Sequence, residues 1–237
     1  MALGRRKVSL SDPSRWVFNR MAALYDARPP YPDALIEALL PYGPRVLELG
    51  AGIGHLAIPL AQRGCQVTAV EPAQQMLAEL VERAQGLSIT ALHAQAEVLP
   101  LDGPFELALL ADALHFVDAE RTGLELARVQ ASVLAIVRVE PAASPYMAAL
   151  QALLDESAPR RLRATRGNAA QLTALAGRKL HGTQVFRDEH ALDHEALVRL
   201  LGTISFVRPA ISASFLERVR ALGPALYARK LTLELYR

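Results

Sequence analysis

The sequence predicts an α/β fold in which a doubly wound, mostly parallel sheet carries helices on both faces. Three observations support this prediction. Strand and helix signals alternate from residue 33 to residue 140, the strand candidates are short apolar runs, and a glycine-rich turn directly follows the first strand. Short apolar strands are typical of buried parallel sheets. Repeated β-α-β units then require helices on both faces of the sheet.

The elements of this region are separated mostly by Gly and Pro, which break regular structure. We predict strands at 45–49, 66–70, 88–93, 105–111 and 133–139. We predict helices at 33–40, 54–62, 73–84 and 118–128, with Asp33 and Asp118 as caps. Pro59 is expected to kink the second of these helices. The third helix is expected to bury one face formed by Met76, Leu77, Leu80 and Val81.

Beyond Glu140 the pattern is looser. We predict helices near 146–156, 169–176, 194–201 and 212–221, and strands near 183–188 and 230–236. A chain of 237 residues can form one full α/β domain with an additional cap. One domain is therefore expected.

The composition is that of an ordinary folded protein, with 51% apolar and 21% charged residues. A formal charge of +2 is too small to indicate a nucleic-acid or anionic-membrane partner. The basic stretch of Arg160, Arg161, Arg163 and Arg166 is interpreted as a solvated face, the alternative being a clamp for an acidic acceptor. With Cys65 as the only cysteine, and no signal-peptide or membrane-span pattern, a cytoplasmic location is expected.

The turn after the first strand has glycines at 50, 52 and 54. Ligands of open α/β sheets lie at the carboxyl ends of the strands, where this turn falls. A dinucleotide fingerprint needs a further glycine at position 55, which is His55. Glu48, beside the turn, would repel phosphates but could attract an ammonium group, unless it is simply a buried acid that main-chain donors satisfy. Glu71 ends the second strand, where a carboxylate can accept the hydroxyl protons of a ribose.

Together these motifs resemble those of class I S-adenosylmethionine-dependent methyltransferases. E-L-G-A-G-I-G is followed, 17 residues after Gly54, by the strand-terminal Glu71. Residues 94–100 are similar to the family's G-D-A-E-x-L-P, residues 105–108 to its F-D-x-V, and residues 28–32 to an Arg-Pro-x-Tyr-Pro motif near its N-terminus. The resemblance covers residues 18 to 140 well and the remainder loosely. It favours small-molecule enzymes of the methyltransferase type 11 and trans-aconitate methyltransferase groups.

The resemblance implies a seven-stranded Rossmann-like sheet that binds S-adenosylmethionine and releases S-adenosylhomocysteine. The methionine end of the cofactor is expected at Glu48, Gly50, Ala51, Gly52 and Gly54. The ribose and adenine are expected at Glu71, Pro72, Met76, Gln95, Ala96 and Glu97, with a floor formed by Ala111 and Asp112. Tyr25, Arg28 and Tyr31 are expected to form a lid, although the prolines between them also suit a rigid loop without function.

Two positions depart from the family pattern. Gln95 replaces the usual acid near the adenine amino group, but an amide oxygen can still accept that hydrogen bond. The turn at 129–132 lacks the family's usual Pro-Gly-Gly, which affects the predicted boundary of the fifth strand. The implied organisation is a lid at 1–32, a cofactor-binding core at 33–140, an acceptor cap at 141–210, and a last helix and strand at 211–237.

The predicted reaction is methyl transfer to an oxygen, nitrogen or carbon of a small-molecule acceptor, with organic acids or natural-product intermediates as the leading class. His115 is the candidate base, because a neutral imidazole accepts protons near neutral pH; the alternative is a packing role. The scattered histidines, His190 and His194 included, do not indicate a metal site. Two other functions are weighed: an S-adenosylmethionine-binding regulatory protein without turnover, and an NAD-dependent oxidoreductase.

Overall fold

The structure is a computed structural model that describes residues 13–157, 169–204 and 207–237. The strands are β1 Arg45–Leu49, β2 Gln66–Val70, β3 Ile89–Leu92, β4 Phe105–Ala111, β5 Ala131–Pro141, β6 Leu180–Leu192 and β7 Ala225–Tyr236. The helices are α1 Pro13–Met21, α2 Asp33–Leu39, α3 Ala57–Gln62, α4 Gln74–Arg83, α5 Ala119–Arg128, α6 Pro145–Ser157, α7 Ala169–Leu175, α8 His194–Gly202 and α9 Ala213–Ala221. The basic stretch from Arg160 to Arg166 lies outside the described residues.

The strands form a seven-stranded sheet with the order β3-β2-β1-β4-β5-β7-β6. The first five strands pair in parallel, and β7 runs antiparallel to both β5 and β6. The chain moves outward from β1 to β2 and β3, then returns to place β4 on the other side of β1. In such sheets a ligand crevice opens where the order reverses, between the carboxyl ends of β1 and β4. The predicted doubly wound α/β fold is confirmed.

Side chains that alternate along the strands form an apolar core on each face of the sheet. Val46 of β1 and Leu107 of β4 pack on one face with α2 and α3, whereas Leu47 and Ala108 pack on the other face with α5 and α7. A third apolar cluster joins α6, α8 and α9 to the start of β7. No helix of the described ranges, 13–157, 169–204 and 207–237, is both long and apolar enough to cross a membrane.

Several predicted boundaries need correction. Asp33 is the first residue of α2 rather than its cap, and α3 begins at Ala57 rather than Gly54. Pro59 therefore lies in the first helical turn, where a missing backbone N–H is tolerated. The kink at this position stays a prediction. On α4, Met76 and Leu80 are buried as expected, but Val81 is 53% exposed and does not belong to the buried face.

The second half of the chain contributes more to the sheet than its sequence indicates. The predicted strand at 183–188 is the centre of the 13-residue β6, and the predicted strand at 230–236 begins at Ala225. The proposed cap region, 141–210, thus also provides the edge strand of the sheet. Helix α1 was not predicted at all. It packs its residues Phe18 and Met21 with Met76 of α4, beside the glycine turn.

Candidate functional site

The glycine turn lies between β1 and α3 with its backbone exposed to the crevice side. Gly50, Gly52 and Gly54 have φ angles of 77°, 58° and 93°, a conformation that other residues rarely adopt. The N–H groups of Gly50 and Ala51 both donate to the carbonyl of Val70, at 2.8 and 3.1 Å, which fastens the turn to the end of β2. A Cβ atom at Gly50 would lie only 2.8 Å from the Cβ of Ala113. The sequence therefore leaves bare main chain at this position.

Glu71 joins the glycine turn to the start of α4. Its Oε2 atom accepts the Gly52 N–H at 2.9 Å, and its Oε1 atom accepts the Ala73 N–H at 2.8 Å. The side chain is buried, with 7% exposed. A carboxylate is also a suitable acceptor for the protons of hydroxyl groups. The carboxylate thus lies where the sequence predicted it, at the end of β2 beside the turn.

Glu48 is the second buried acid of the site. Burial raises the pKa of its carboxyl to about 8, an effect that the nearby negative charge of Glu71 reinforces and a hydrogen bond from the Ala57 backbone opposes. Its residue exposure is 3%. Within the described residues its Oε2 atom has no hydrogen-bond partner. Backbone donors therefore do not fully satisfy this acid, and a cationic or hydrogen-donating ligand group would supply the missing partner.

The loop after β3 presents a second unpartnered polar group. Gln95 is 4% exposed, and both its Oε1 and Nε2 atoms lack hydrogen-bond partners among the described residues. The loop itself is firmly held, because Leu99 N–H donates to Glu125 of α5 at 2.8 Å and the Leu99 carbonyl accepts from Arg128 at 2.9 Å. Ala96 packs with the apolar residues at the ends of β1 and β2. A rigid loop that buries an unsatisfied carboxamide is well suited to bind a ligand with both donors and acceptors.

Glu97, which is predicted to bind the cofactor, accepts a hydrogen bond from the chain just before α5. Its Oε1 atom accepts the Asp118 N–H at 2.9 Å, just before α5. Asp118 in turn caps α5 by accepting the Arg121 N–H at 3.0 Å. Pro72 and Met76 also lie in the fold next to the turn: the Pro72 carbonyl contacts His93 Nε2 at 3.0 Å, and Met76 is buried against α1. These contacts indicate structural support around the site.

The N-terminal segment covers the crevice with a charged residue. Arg28 donates from Nη1 to Asp112 Oδ2 at 3.0 Å, and it also donates to the side chain and carbonyl of Thr203, at 3.1 and 3.3 Å. Its guanidinium lies 4.6 Å from the ring centroid of Tyr25. A Cβ atom at Gly52 would lie 3.7 Å from Tyr25 Cε1, so Tyr25 stands directly over the turn. The structure therefore brings the predicted lid residues to the predicted cofactor turn.

Tyr31 and the strand-end residues Ala111 and Asp112 complete this side of the site. Tyr31 packs against the apolar core beneath the sheet face, and burial raises the pKa of its hydroxyl above the ordinary 10.0. Ala111 ends β4, and Asp112 follows with a φ angle of 51°, which is unusual for a residue other than glycine. The Asp112 N–H donates to the carbonyl of Val137 at 2.9 Å. This conformation directs the chain out of the sheet at the switch point.

Aromatic rings line the mouth of the crevice. His115 and Phe116 lie on a short 3-10 helix, with ring centroids 3.9 Å apart, and Phe18 of α1 meets Phe116 edge to face at 4.9 Å. Burial lowers the pKa of His115 below 6.5, and Arg28 lowers it further, while Asp112 opposes this effect. His55 stacks obliquely near Tyr25 at 6.0 Å, and burial lowers its pKa to about 4. Both imidazoles are thus neutral at pH 7.

Sequence reasoning missed three residues that support the lid. Arg229 of β7 is 5% exposed and donates to the carbonyls of Pro29 and Pro30, at 3.0 and 2.7 Å. Asp188 of β6 accepts from Arg229, and Thr203 at the end of α8 accepts from Arg28. The signal for Arg229 was weak, because Lys230, Thr232 and Glu234 also place polar side chains in β7. Thr203 offered none.

Comparison with known proteins agrees with this geometry. Residues 46–135, from β1 into β5, match a family model described as a methyltransferase domain. An uncharacterized methyltransferase of Mycobacterium bovis is 42% identical over 132 residues, which are 54% of this chain and 51% of the relative. The chain spans about half the length of the curated relatives that it matches.

Solved structures show the same fold beyond the residues that the family model matches. A provisionally assigned type II methyltransferase from Anaeromyxobacter dehalogenans superimposes with a TM-score of 0.64 at 22% identity, covering 88% of this chain and 97% of that chain. A geranyl diphosphate methyltransferase, in complex with GPP and sinefungin, superimposes with a TM-score of 0.52 at 14% identity, covering 86% of this chain and 76% of that chain. The Rossmann-like methyltransferase fold expected from the resemblance is confirmed.

Proposed function

We propose that this protein transfers a methyl group from S-adenosylmethionine to a small-molecule acceptor and releases S-adenosylhomocysteine. The observation that carries the proposal is a pair of buried polar side chains with unpartnered atoms, Glu48 on the strand before the glycine turn and Gln95 in the loop after β3. Leaving such groups unsatisfied costs about 1–3 kcal/mol each. A ligand that combines an ammonium, a ribose and a nucleobase matches the chemistry of Glu48, Glu71 and Gln95.

The residues of the site fit the parts of this cofactor. A carboxylate such as Glu71 can accept from ribose hydroxyls, and the Gln95 carboxamide can accept from the adenine amino group while donating to a ring nitrogen. Gly50 and Gly52 have no side chains, which would allow the methionine portion to lie against the main chain of the turn. When bound, S-adenosylmethionine supplies a methyl group on a positively charged sulfur atom, which needs no further activation.

The ion pair of Arg28 and Asp112 suits the amino-acid end of the cofactor. Its charges, 3.0 Å apart, are opposite in sign, as are those of an α-carboxylate and an α-ammonium. We propose that Arg28 binds the carboxylate and that Glu48 and Asp112 stabilise the ammonium. Tyr25 and Tyr31 would then exclude water above the turn, which strengthens these charge interactions. Ala51, Gly54, Pro72, Met76, Ala96, Glu97 and Ala111 remain predicted members of the cofactor site.

His115 is the proposed base for an acceptor whose nucleophile must lose a proton. It follows β4 at the mouth of the crevice, and its lowered pKa keeps the imidazole neutral and able to accept a proton at pH 7. We therefore expect His115→Phe to reduce turnover by about a hundredfold, within the usual range for a general base, while the Kd for S-adenosylhomocysteine stays unchanged. An equal loss of turnover and affinity would instead indicate a packing role.

The acceptor is proposed to be a small organic acid or natural-product intermediate. Its binding walls are proposed to come from the cap region, where α6, α8 and α9 form a separate apolar cluster, together with Phe18 and Phe116 at the mouth. A turnover screen that follows S-adenosylhomocysteine release with pooled acids, phenols and amines would identify the class. Trans-aconitate is one of the acids to be tested in that screen.

The function is tested by calorimetric titration of the protein with S-adenosylmethionine, S-adenosylhomocysteine and NAD. We expect both adenosyl compounds to bind and NAD not to bind, since His55 occupies the position where a dinucleotide fingerprint needs its third glycine. Binding of NAD alone would favour an oxidoreductase. Binding of the adenosyl compounds without turnover on any acceptor pool would favour a regulatory protein.

Replacing Gln95 by Met separates a ligand-binding role from a structural one. Met has nearly the shape of Gln but no hydrogen-bonding atoms, so the free protein should gain about 1 kcal/mol in the free energy of unfolding, because a buried unsatisfied amide is removed. Affinity for S-adenosylhomocysteine should fall about tenfold. Urea unfolding and calorimetry measure the two effects. Gln75→Met, on the exposed side of α4, is the matched control and should change neither.

The two effects of Gln95→Met have opposite signs only if the amide serves the ligand. A protein that loses stability while keeping its affinity would show that Gln95 supports the fold. Adenosine, which keeps the nucleobase but lacks the methionine portion, should lose affinity by the same factor as S-adenosylhomocysteine. That equality would locate the contact at the adenosine portion.

A further inference from the structure

Arg229 connects the far side of the sheet to the segment that covers the cofactor turn. It lies in β7, directly opposite Asp188 of β6 in the strand register. Its side chain is 6% exposed. Nε donates to Asp188 Oδ1 at 2.9 Å, and Nη2 also pairs with Asp188 Oδ2. The hydrogen bonds and charge of Arg229 hold the pKa of Asp188 below 3.8, against the opposing effect of burial. The ion pair is therefore fixed and charged at neutral pH.

Two further hydrogen bonds of Arg229 reach the main chain of residues 28–32, and its Nη2 atom also lies 3.3 Å from His190 Nε2. Nη1 donates to the Pro29 carbonyl at 3.0 Å, and Nη2 donates to the Pro30 carbonyl at 2.7 Å. This segment has no regular secondary structure between the short 3-10 helix Ala22–Ala27 and α2. Prolines cannot donate backbone hydrogen bonds, so contacts through the carbonyls are the means left to fix them. The Arg229 guanidinium, which is anchored by the Asp188 carboxylate, thus holds both proline carbonyls.

The two prolines lie between the lid residues Arg28 and Tyr31. Arg28 extends from this segment to Asp112 and Thr203, which are on different parts of the fold. A small displacement of the Pro29 and Pro30 carbonyls would therefore move the Arg28 guanidinium relative to the crevice. Misplacement of a positioning group by about 1 Å is enough to weaken a charged contact severely.

We infer that Arg229 is a positioning residue, which with Asp188 fixes Arg28 at the amino-acid end of the cofactor. This inference rests on the proposed function. It assigns to β6 and β7, which lie beyond the cofactor strands in the sheet, a part in cofactor affinity. Arg229 itself acts through the main chain of Pro29 and Pro30 and has no contact with the ligand.

The test compares two ligands in an Arg229→Lys variant. Lys keeps the charge opposite Asp188 but lacks the planar fork that serves two carbonyls and a carboxylate at once. We expect affinity for S-adenosylhomocysteine to fall about tenfold, whereas affinity for adenosine, which has no amino-acid end, changes less than about twofold. A purely structural role would weaken both ligands equally.

Three further comparisons make the result specific. Arg138→Lys changes a similar arginine on β5, which pairs with Glu234 of β7 at 3.2 Å, and it should leave the ratio of the two affinities unchanged. In an Arg28→Ala background, Arg229→Lys should cause little additional loss, because the two residues act in series. Asp188→Asn should also weaken the binding of S-adenosylhomocysteine more than that of adenosine. This variant tests the inference if Arg229→Lys does not fold.

Hydrogen exchange of peptides from residues 22–39 gives a readout without ligand, and we expect faster exchange in Arg229→Lys than in Arg138→Lys. If the wild-type protein binds S-adenosylhomocysteine but Arg229→Lys keeps the wild-type affinity ratio, the inference is overturned and the proposed function stands. If the wild-type protein binds neither ligand, the proposed function itself fails.

Discussion

Glu71→Gln should weaken S-adenosylhomocysteine binding by about a hundredfold, the loss expected when two charge-assisted hydrogen bonds are weakened. In the structure both carboxylate oxygens already accept backbone N–H groups, from Gly52 and Ala73. A glutamine has only one acceptor oxygen, so its NH₂ group would face one of these N–H donors. The substitution therefore removes the charge offered to the ribose and also loosens the turn.

A pair of nucleosides locates this effect at the ribose. Adenosine has both hydroxyls that Glu71 is proposed to accept, whereas 2′-deoxyadenosine lacks one. The wild-type protein should bind adenosine more tightly than 2′-deoxyadenosine, and Glu71→Gln should lose most of that preference. Calorimetry measures both affinities, and thermal unfolding shows whether the variant is folded. Glu82→Gln makes the same charge change on the exposed face of α4 and serves as the control.

The outcome for 2′-deoxyadenosine decides the role of Glu71. Should Glu71→Gln discriminate between the two nucleosides as the wild-type protein does, the carboxylate would serve only to tie the turn to α4. Its contacts with Gly52 and Ala73 would then be its whole function, and the ribose would need another acceptor.

The sequence predicted the cofactor half of the fold well, because its signals are local. β1, β2 and β4 are apolar runs ended by Gly, Glu-Pro or a polar loop, and the structure places them within the predicted bounds. Strand β6 was underestimated because it is an edge strand whose exposed positions carry polar residues, so no continuous apolar run marks its length. Helix α1 is only nine residues long, so its apolar residues span little more than two turns and establish no clear period.

The candidate site also contains residues that the sequence predicted and residues that it did not. Glu48, Gly50 and Glu71 follow strand ends that can be recognised in the sequence, and parallel topology brings such ends together. The support for the lid depends on contacts between residues about 200 positions apart, as between Arg229 and Pro30. No local pattern encodes such a contact, since it arises only when β7 is inserted beside β5. Arg28 was predicted, but its partner Thr203 was not.

Glu48→Gln should remove a strong pH dependence from the stability of the free protein. The pKa of Glu48 is raised from 4.5 to about 8 by burial in the folded state. Below pH 4.5 the carboxyl is protonated in both the folded and the unfolded protein. As the pH rises from 4.5 towards 8, the unfolded protein loses this proton while the folded protein retains it, so the stability contributed by the protonated carboxyl is progressively lost.

The expected difference in stability between the wild-type protein and Glu48→Gln follows from the direction of this pKa shift. Their free energies of unfolding should be similar near pH 4.5, and by pH 8 Glu48→Gln should be more stable than the wild-type protein by on the order of 4 kcal/mol. Urea unfolding across this pH range measures the difference. Glu82→Gln, an exposed acid on α4, should follow the wild-type curve. Parallel curves for all three proteins would show that Glu48 ionises normally.

Ligand binding should favour the ionised form of Glu48 and release its proton. An ammonium group beside Glu48 favours the ionised carboxylate, so S-adenosylhomocysteine should displace about one proton when it binds at pH 7. The observed binding enthalpy would then depend on the ionisation enthalpy of the buffer, which phosphate and Tris reveal. Adenosine, which lacks the ammonium, should release no proton, nor should either ligand in Glu48→Gln. Proton release with adenosine would contradict the placement of the ammonium at Glu48, because the carboxyl would then be responding to the nucleoside.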